Sequence, residues 1–373
     1  MRILVINGGS SSFKCRLDDL PDGRLPIAPP QPLWTQRVDW DQRSGVAEVL
    51  KPVLKSIPGP VDVVGHRIVH GGPVYRESTP LTPDVRAAIA KEIEFAPAHN
   101  RFELEAVQAV DQFYGSGVRQ IAVFDTGFHS TLEPAAYVYP GPYKWLQQGI
   151  RRYGFHGINH QYASRRAAEM LGRDSASLRL IVCHLGNGAS LAAVQGGKSK
   201  DTTMGFTPLD GLMMGTRSGS IDPGILVYLI RHRGANAQDL DEILNRKSGL
   251  LGVSGLSGDM REIESAIEAG NERARLAHDV YAHRLVRELG AMLAVLSGVD
   301  AIIFTGGVGE NSALLRQRVC GNFGFLGLSL DSVKNAKPQL DQDIAASNSR
   351  VRVLVIRAQE EWEIARECHR LTV

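Results

Sequence analysis

Short apolar stretches alternate with longer amphipathic stretches along the whole chain. Runs rich in valine and isoleucine that end in glycine, aspartate or asparagine predict buried strands, and these are ILVIN, VVGHRIVH, QIAVFDT, LRLIVCHLG, ASLAAVQ, AIIFTGG and VRVLVI. The stretches between them predict helices, and these include TPDVRAAIAKEIEFA, DPGILVYLIRHRG, AQDLDEILNRKSG and NERARLAHDVYAHRLVRELGAMLAVLSG. The alternation predicts an α/β fold in which helices cover buried sheets.

Two segments about half a chain apart follow one pattern. VINGGSSSFK and VCHLGNGASLA each contain an apolar strand, a turn of glycine and polar residues, and a second apolar segment. Glycine-rich hairpins are common in α/β proteins, so this similarity alone is only suggestive. The chain has 373 residues, which is enough for two domains with separate cores. Together, length and repeat predict a duplicated, two-domain protein.

Composition and charge argue against several classes of protein. The 42 Lys and Arg residues nearly balance 40 Asp and Glu residues, and no block of like charges suggests a nucleic acid or a membrane surface as partner. No apolar run approaches the roughly 20 residues of a membrane helix, and the N-terminus does not resemble a signal peptide. Four scattered cysteines without a CxxC pair fit a reducing compartment, so we expect a cytoplasmic protein.

The first glycine-rich turn has the composition of an anion site. Glycine N–H groups can converge on a phosphate, serine hydroxyls add donors and lysine adds charge, so Ser10, Ser12 and Lys14 are candidate phosphate contacts. A polar surface hairpin is the alternative. FTGGVGENS is a similar turn before a probable helix start, where free N–H groups also favour an anion. Neither a P-loop nor a dinucleotide fingerprint is complete in the chain.

Several charged residues stand at unusual positions. Arg67 lies inside a strand pattern and Arg217 in a loop of glycine and methionine, although most single arginines pair with a structural carboxylate. A guanidinium group can bind a carboxylate or phosphate through two hydrogen bonds. Asp125 ends one strand, and Glu360 and Glu361 follow another, so these carboxylates are candidates for contacts to a ligand or to Mg²⁺.

His156 and His160 stand four residues apart, a spacing at which two histidines on one helix can bind a metal ion. The glutamate of a zinc hydrolase helix is missing between them, so a structural role is the simpler interpretation. His156 is a better candidate for a donor to negative charge that develops during a reaction.

Taken together, these motifs resemble the acetate kinase family, the acetate and propionate kinases of the actin, Hsp70 and sugar-kinase superfamily. The matching segments occur in order along nearly the whole chain: VINGGSSSFK, GHRIVHGG, FDTGFHSTLEPAAYVYPGPY, GIRRYGFHGINH, HLGNGASLAAVQGGKSKDTTMGFTPLDGLMMGTRSGSIDPG, FTGGVGENS and VIRAQEEWEIAR. The resemblance implies two duplicated ribonuclease H-like domains with a nucleotide cleft between them. Residues 1–128 and 362–373 would form the N-terminal domain, and residues 129–361 the nucleotide-binding domain.

The resemblance also implies an activity. Such an enzyme reversibly transfers the γ-phosphoryl group of ATP to a short-chain carboxylate, acetate or propionate, and yields ADP and an acyl phosphate. It uses Mg²⁺, or Mn²⁺ in its place. Family members are usually homodimers.

Roles for individual residues follow from the same resemblance. The catalytic residues would be Arg67, Asp125, His156 and Arg217. The metal would be held by Asn7 and Glu360. The carboxylate would be bound by Arg67, Val69, Ala98, Phe155 and Pro208. The nucleotide would be bound by Ser10, Ser12, Lys14, His184, Leu185, Gly186, Asn187, Gly188, Asp259, Met260, Arg261, Gly307, Val308, Gly309, Glu310 and Asn311.

A carboxylate acceptor is ionised at neutral pH, since its pKa is near the value of about 4.3 that glutamate has. The reaction therefore needs no strong base, and its barrier is the approach of two anions. We accordingly expect Asp125 to order Mg²⁺ or an active-site arginine rather than to accept a proton.

The sequence departs from the family pattern in three places. It is shorter between Lys14 and Arg67, it has RAQEEW where TNEEL is usual, and it has FAPAHNRFEL where LAPLHNP is usual. In the last segment Ala98 replaces a leucine of the acyl pocket. Each CH₂ group of a longer acid that a larger pocket buries contributes roughly 0.8 kcal/mol. We therefore expect propionate or butyrate to compete with acetate.

Two other functions are compatible with the motifs. A butyrate or sugar kinase of the same superfamily is one, but a sugar kinase needs a base for a neutral hydroxyl, and the pair Arg67 and Arg217 favours an anionic acceptor. A nucleotide-binding regulatory protein without turnover is the other. The intact set Asn7, Arg67, Asp125, His156, Arg217 and Glu360 argues against it.

Overall fold

The structure is a computed structural model that describes residues 1–9, 12–40, 44–91, 100–115 and 117–373. Its strands are β1 (Arg2–Gly8), β2 (Ser12–Asp19), β3 (Trp34–Asp39), β4 (Val63–Ile68), β5 (Thr79–Pro80), β6 (Arg119–Phe124), β7 (Arg179–Leu185), β8 (Ala189–Gln195), β9 (Lys198–Thr202), β10 (Ala301–Thr305), β11 (Gln342–Asp343) and β12 (Arg352–Val355). Its α-helices are α1 (Val46–Lys55), α2 (Pro83–Lys91), α3 (Asn100–Tyr114), α4 (Pro134–Tyr137), α5 (Lys144–Gln147), α6 (Gly157–Met170), α7 (Pro223–Arg233), α8 (Ala237–Arg246), α9 (Gly249–Ser254), α10 (Met260–Glu268), α11 (Glu272–Leu296), α12 (Gly306–Asn311), α13 (Ala313–Cys320), α14 (Ser332–Ala336) and α15 (Glu360–Arg370). Short 3₁₀ helices span Gly127–Thr131, Ser175–Ser177 and Gly321–Leu326.

Within the described residues, two mixed sheets of six strands share one connectivity. Their strand orders are β3-β2-β1-β4-β6-β5 and β11-β12-β10-β7-β8-β9. In the first sheet β1, β2 and β3 form an antiparallel meander, and β4 and β6 continue the sheet parallel to β1. In the second, β7, β8 and β9 form the meander, and β10 and β12 continue it parallel to β7. The predicted α/β class and the predicted duplication are confirmed.

The two similar sequence segments form equivalent hairpins in the two sheets. VINGGSSSFK spans the connection from β1 to β2, and VCHLGNGASLA spans the connection from β7 to β8. Backbone hydrogen bonds close both turns: the Gly9 N–H donates to the Ser12 carbonyl at 2.8 Å, and the Gly186 N–H donates to the Gly188 carbonyl at 2.9 Å. Each hairpin therefore presents its glycine turn at one end of its sheet.

Helices α6 and α15 contribute to a core that both sheets share. Apolar side chains from β1, β4 and β6 of the first sheet and from β7, β8 and β10 of the second join those of the two helices in one buried cluster. The C-terminal helix α15 packs on β1 and β4, and the fully buried Trp362 donates its indole N–H to the Ile27 carbonyl at 2.7 Å. The final helix thus covers one face of the first sheet. The domain boundaries given above stay a prediction.

Of the α-helices in the described part of the chain, none has the length and apolar character needed to cross a lipid bilayer.

Close packing of α15 on β4 depends on Gly65. A Cβ atom at this position would lie 2.5 Å from the Cys368 Sγ and 2.7 Å from the Ile364 Cγ2, whereas a Cβ at Gly290 of α11 would meet no atom within 4 Å. Gly65→Ala should destabilise the protein by about 1–3 kcal/mol because the helix must move outward. Gly290→Ala, the matched control, should stabilise α11 by up to about 1 kcal/mol. Thermal unfolding midpoints test this, and equal midpoints for the two variants would contradict the packing argument.

Candidate active site

A cavity of about 280 Å³ opens where strands from both sheets end. Strands β1, β4, β6 and β7 direct their carboxyl ends toward it, which is where ligands bind in parallel sheets. Its lining residues are Asn7, Gly9, Ser12, Lys14, Arg67, Val69, Asp125, Phe155, His156, His184, Asn187, Gly188, Pro208, Arg217 and Glu360. The cavity therefore brings together residues predicted to bind metal, carboxylate and phosphate.

Arg67 and Asp125 form an ion pair at the floor of this cavity. The Arg67 Nη2 and Nε lie 2.5 and 3.1 Å from the Asp125 Oδ2, and the Arg67 Nη1 donates to the Gly8 carbonyl at 2.8 Å. Parallel pairing of β4 with β6 brings the two residues to the same sheet edge. These bonds fix the guanidinium plane relative to the cavity.

The second carboxylate oxygen of Asp125 is buried without a hydrogen-bond partner among the described residues. Burial raises the pKa of Asp125, and the neighbouring Arg67 offsets only part of that effect. A buried polar atom without a partner is costly unless a ligand, ion or water satisfies it. The His156 backbone N–H lies close enough to this carboxylate to lower its pKa, so it offsets part of that cost.

Acidic and amide side chains also meet in this cavity. The Asn7 Nδ2 donates to the Glu360 Oε2 at 3.0 Å and to the Glu361 Oε1 at 2.8 Å, and the Lys14 Nζ lies 3.8 Å from the same Glu361 oxygen. Burial opposes ionisation of Glu360, but the charges of Arg67 and Lys14, together with His184, lower the pKa of this carboxyl. An ionised carboxylate therefore lines the cavity.

This donor set fits Mg²⁺ better than it fits a transition metal. No cluster of three or more His, Cys, Asp or Glu side chains with metal-binding spacing occurs in the described residues. Mg²⁺ keeps several waters and is commonly bound by one or two carboxylates together with substrate phosphates. The side-chain oxygens of Glu360 and Asn7 are of the kind that would bind such an ion, directly or through water.

His156 and Arg217 converge beside the turn between β7 and β8. A Cβ atom on Gly188 would lie 3.4 Å from the His156 Nε2 and 3.5 Å from the Arg217 Nη1. The Arg217 Nη1 also donates to the Pro208 carbonyl at 3.1 Å. Burial and the nearby His184 lower the pKa of His156 well below its ordinary value, so the ring is uncharged at neutral pH. It can still donate one hydrogen bond.

Apolar side chains line the part of the cavity next to Arg67. Val69 and Phe155 are buried, and Pro208 completes this wall. Ala98 and Ser10, which were also predicted to contact ligands, lie outside the described residues. An apolar wall beside a fixed guanidinium group suits a small ligand with a carboxylate at one end and a short hydrocarbon at the other.

A second cavity of about 400 Å³ adjoins the first and shares Asn187 with it. Its lining residues are Gly186, Asn187, Leu250, Gly258, Asp259, Met260, Arg261, Glu264, Gly307, Val308, Asn311 and Ser312. Asp259 begins α10, accepts the Arg261 N–H at 2.9 Å and pairs with the exposed Arg261 side chain. Two neighbouring cavities that share a lining residue suit a ligand with a polar arm and a larger end group.

Three residues predicted to bind nucleotide line neither cavity. Leu185 is fully buried at the end of β7, and Gly309 is buried inside α12. The Glu310 Oε1 accepts the N–H groups of Gly306 and Ala358, each at 2.9 Å. In the structure these residues shape the loops that border the cavities.

Glu103 of α3 is a residue near the site that the sequence reasoning missed. Its Oε2 accepts the Val69 N–H at 3.0 Å, and its Oε1 is buried without a partner among the described residues. Burial raises the pKa of Glu103 to about 8 despite the nearby Arg67. The sequence contains one indication that Glu103 is buried, because its helical spacing places it on the same face as the apolar residues Ala106, Val107 and Val110.

Sequence comparison assigns the family. Residues 35–366 match the profile of the Acetokinase family. The chain belongs to the acetate kinase family. It is 54% identical to an acetate kinase of Gloeobacter violaceus over 399 aligned positions, covering 99% of this chain and 98% of that protein. Because the alignment is longer than this chain of 373 residues, the chain lacks positions that the relative has.

Solved structures agree with this assignment. An acetate kinase of Porphyromonas gingivalis matches with a TM-score of 0.89 and 40% identity over all of both chains. A propionate kinase of Francisella tularensis matches with a TM-score of 0.89 and 35% identity over 99% of both chains. The fold is therefore the duplicated ribonuclease H-like fold of the actin, Hsp70 and sugar-kinase type, and the chain is an enzyme of this family.

The buried carboxyl of Glu103 should make stability depend on pH. Its pKa of about 8 in the folded protein exceeds the ordinary value of 4.5, so the folded state holds a proton that the unfolded chain releases. The resulting stabilisation is full below about pH 4.5 and is lost as the pH rises through about 8. Glu103→Gln keeps an acceptor for the Val69 N–H and cannot ionise. It should gain stability relative to the wild type between about pH 5 and pH 8, by up to a few kcal/mol.

Unfolding midpoints measured across this pH range test the prediction. Glu105→Gln, on a more exposed side of the same helix, is the control for loss of a carboxylate. A stability difference between Glu103→Gln and the wild type that stays constant from pH 5 to pH 8 would rule out a neutral, buried Glu103.

Proposed function

We propose that this enzyme reversibly transfers the γ-phosphoryl group of ATP to a short-chain carboxylate, acetate or propionate, with Mg²⁺ or Mn²⁺ as the metal. One observation carries the choice of acceptor: a guanidinium group fixed by Asp125 lies beside an apolar wall, in the same cavity as the candidate phosphate and metal ligands. The names of the similar proteins, an acetate kinase and a propionate kinase, support the same acceptor class.

Arg67 would bind the carboxylate and hold one of its oxygens in line with the γ-phosphorus. That oxygen forms the new bond to phosphorus as the bond to the oxygen bridging the β- and γ-phosphates breaks, and ADP keeps the bridging oxygen. The acceptor arrives ionised, so no proton has to be removed. The site's task is to position two anions and to reduce their repulsion.

Asp125 would act through Arg67. The Asp125 Oδ2 accepts two hydrogen bonds from the guanidinium group, so this carboxylate fixes the orientation of Arg67. A carboxylate acceptor needs no base, whereas a sugar hydroxyl does. The role of Asp125 in this proposal is therefore to position the cation that binds the acceptor.

His156 and Arg217 would stabilise the charge on the γ-phosphoryl oxygens. Both side chains converge beside Gly188, and the neutral imidazole can donate one hydrogen bond there. Donors fixed before the reaction stabilise developing charge without the cost of reorganising water. Lys14 and Ser12 line the same cavity, where they would contact the same phosphate.

Glu360 and Asn7 are the residues that would hold the metal ion, which supplies positive charge to the phosphate oxygens when it is bound. The polar chain of the nucleotide would follow the segments 184–188 and 307–311. The base and ribose would occupy the second cavity, near Asp259, Met260 and Arg261. Asn187, which lines both cavities, would lie beside the nucleotide between its phosphates and its ribose.

Acyl phosphate formed from Mg²⁺-ATP with acetate, propionate or butyrate, and trapped with hydroxylamine, tests the function. We expect turnover, with kcat/KM for acetate no more than about tenfold above that for propionate, because alanine at position 98, where the family usually has leucine, predicts a larger acyl pocket. Arg67→Gln should lower kcat/KM for the acid by about 100-fold or more, with ATP affinity nearly unchanged. Arg101→Gln, an exposed arginine of α3, is the control.

Bound ATP without turnover of any of the three acids would instead favour another acceptor or a regulatory role. A preference for acetate over propionate well above tenfold would reject the enlarged pocket while leaving the kinase activity in place.

We also propose that the enzyme is a cytoplasmic homodimer. All four cysteines are buried and unbridged, which supports a reducing compartment. Helix α7 has an apolar sequence, yet none of its residues is buried, and Ile225, Val227, Tyr228 and Ile230 are exposed. A patch of this kind on a helix usually marks a protein interface, and a twofold dimer would place the same helix on both sides.

Sedimentation equilibrium tests the dimer. Tyr228→Glu should give monomers, because it places a charge at the centre of the apolar patch. Val333→Glu, at an exposed position of α14, should leave the dimer intact. A wild-type protein that sediments as a monomer would reject the proposal.

A further inference from the structure

The hydroxyl group of Ser190 lies between two histidine rings. Its Oγ is 2.9 Å from the His156 Nδ1 and 2.8 Å from the His160 Nε2. Ser190 is fully buried in β8, and His160 is fully buried one helical turn after His156 at the start of α6. The mechanism above gives no role to either Ser190 or His160.

A single hydroxyl group carries one proton, so Ser190 can donate to only one of these rings and must accept from the other. Burial and the neighbouring histidines lower the pKa of both His156 and His160 well below the ordinary value, so each ring is neutral and carries one N–H. Two arrangements are possible, and they differ in which nitrogen of His156 is protonated.

The surroundings of His160 distinguish the two arrangements. The His160 Nδ1 is buried without a hydrogen-bond partner among the described residues. If it carried the proton, a buried N–H would have no acceptor, and buried N–H groups without acceptors are rarer in proteins than acceptors without donors. The His160 proton therefore belongs on Nε2, from which it is donated to the Ser190 Oγ.

We propose that Ser190 is a positioning residue that sets the tautomer of His156. The Ser190 hydroxyl accepts from the His160 Nε2–H and donates to the His156 Nδ1, so the His156 proton resides on Nε2. That nitrogen is the one that faces Gly188 and Arg217 in the cavity. His156 thus presents a donor, not a lone pair, toward the place where phosphate oxygens would lie.

The backbone conformation at His156 directs its side chain toward Ser190. His156 precedes α6 with φ of 58°, a left-handed conformation that is unusual for a residue with a Cβ, and its carbonyl accepts the His160 N–H at 2.9 Å. The ring also stacks on His184, with 4.2 Å between centroids. These contacts favour one orientation of the ring, in which Nδ1 faces Ser190.

The chain offers a matched control in Ser199. This serine is also fully buried, and its hydroxyl lies 2.8 Å from the His129 Nδ1. His129 does not line the cavity, and its Nε2 lies 3.1 Å from the Phe155 carbonyl, which fixes that tautomer independently. Ser199→Ala removes a buried serine–histidine bond of the same kind from outside the cavity.

The first measurement is the tautomer of His156, by ¹⁵N NMR of the imidazole nitrogens in the full-length wild-type protein. The signal is assigned by its loss in His156→Gln. We expect a proton on Nε2 in the wild type and in Ser199→Ala, and a mixture of the two tautomers in Ser190→Ala. A wild-type His156 protonated on Nδ1, or an unchanged tautomer in Ser190→Ala, would overturn the inference.

The second measurement is steady-state kinetics, and only this one rests on the proposed function. Ser190→Ala should lower kcat by about 10- to 100-fold, with the KM values for ATP and the acid changed much less, because the lost donor acts on developing charge. Equal kcat in Ser190→Ala and Ser199→Ala would overturn the catalytic role of the tautomer. If the enzyme phosphorylates no carboxylate but His156 has the expected tautomer, the proposed function fails and the inference about the tautomer stands.

Discussion

The buried ion pair of Arg67 and Asp125 is the interaction on which the site depends. A guanidinium group at the end of an inner strand cannot remain buried unless a carboxylate and a carbonyl satisfy it. The parallel neighbour strand provides Asp125, and the end of β1 provides the Gly8 carbonyl. Three strands of one sheet thereby fix one cation, and the remaining N–H groups of that cation are free to face a ligand.

The positive charge of Arg67 is largely offset by nearby carboxyls, although a site that binds two anions would be expected to carry an excess of positive charge. Arg67 is close enough to Asp125, Glu360 and Glu103 for all three carboxyls to affect it, and Glu103 stays protonated near neutral pH. The histidines of the cavity are uncharged as well. Much of the positive charge that phosphoryl transfer needs therefore has to come with the metal ion, so that an empty site does not carry a large excess of charge.

The sequence predicted strands where apolar residues run continuously, since such runs occur in strands buried on both faces. It predicted the start of β2 as the second arm of a hairpin but not its continuation, in which Arg16 and Asp18 are buried as an ion pair at 2.7 Å. The same limit applies to the site. Motifs at strand ends, together with the family resemblance, identified most of the cavity lining. The roles of Glu103 and Ser190 depend on contacts with residues distant in sequence, and no local pattern reveals those contacts.

The position of α15 has a consequence for how the chain is made. Strands β1 and β4 leave the ribosome early, but α15, the helix that covers them, begins at Glu360, far beyond the end of β4 at Ile68. Until the residues of α15 have been synthesised, the apolar face around Gly65 has no cover. Such exposed surface promotes aggregation of incomplete chains. The first sheet therefore cannot reach its native packing from its own strands alone and stays vulnerable until the distant helix has been made.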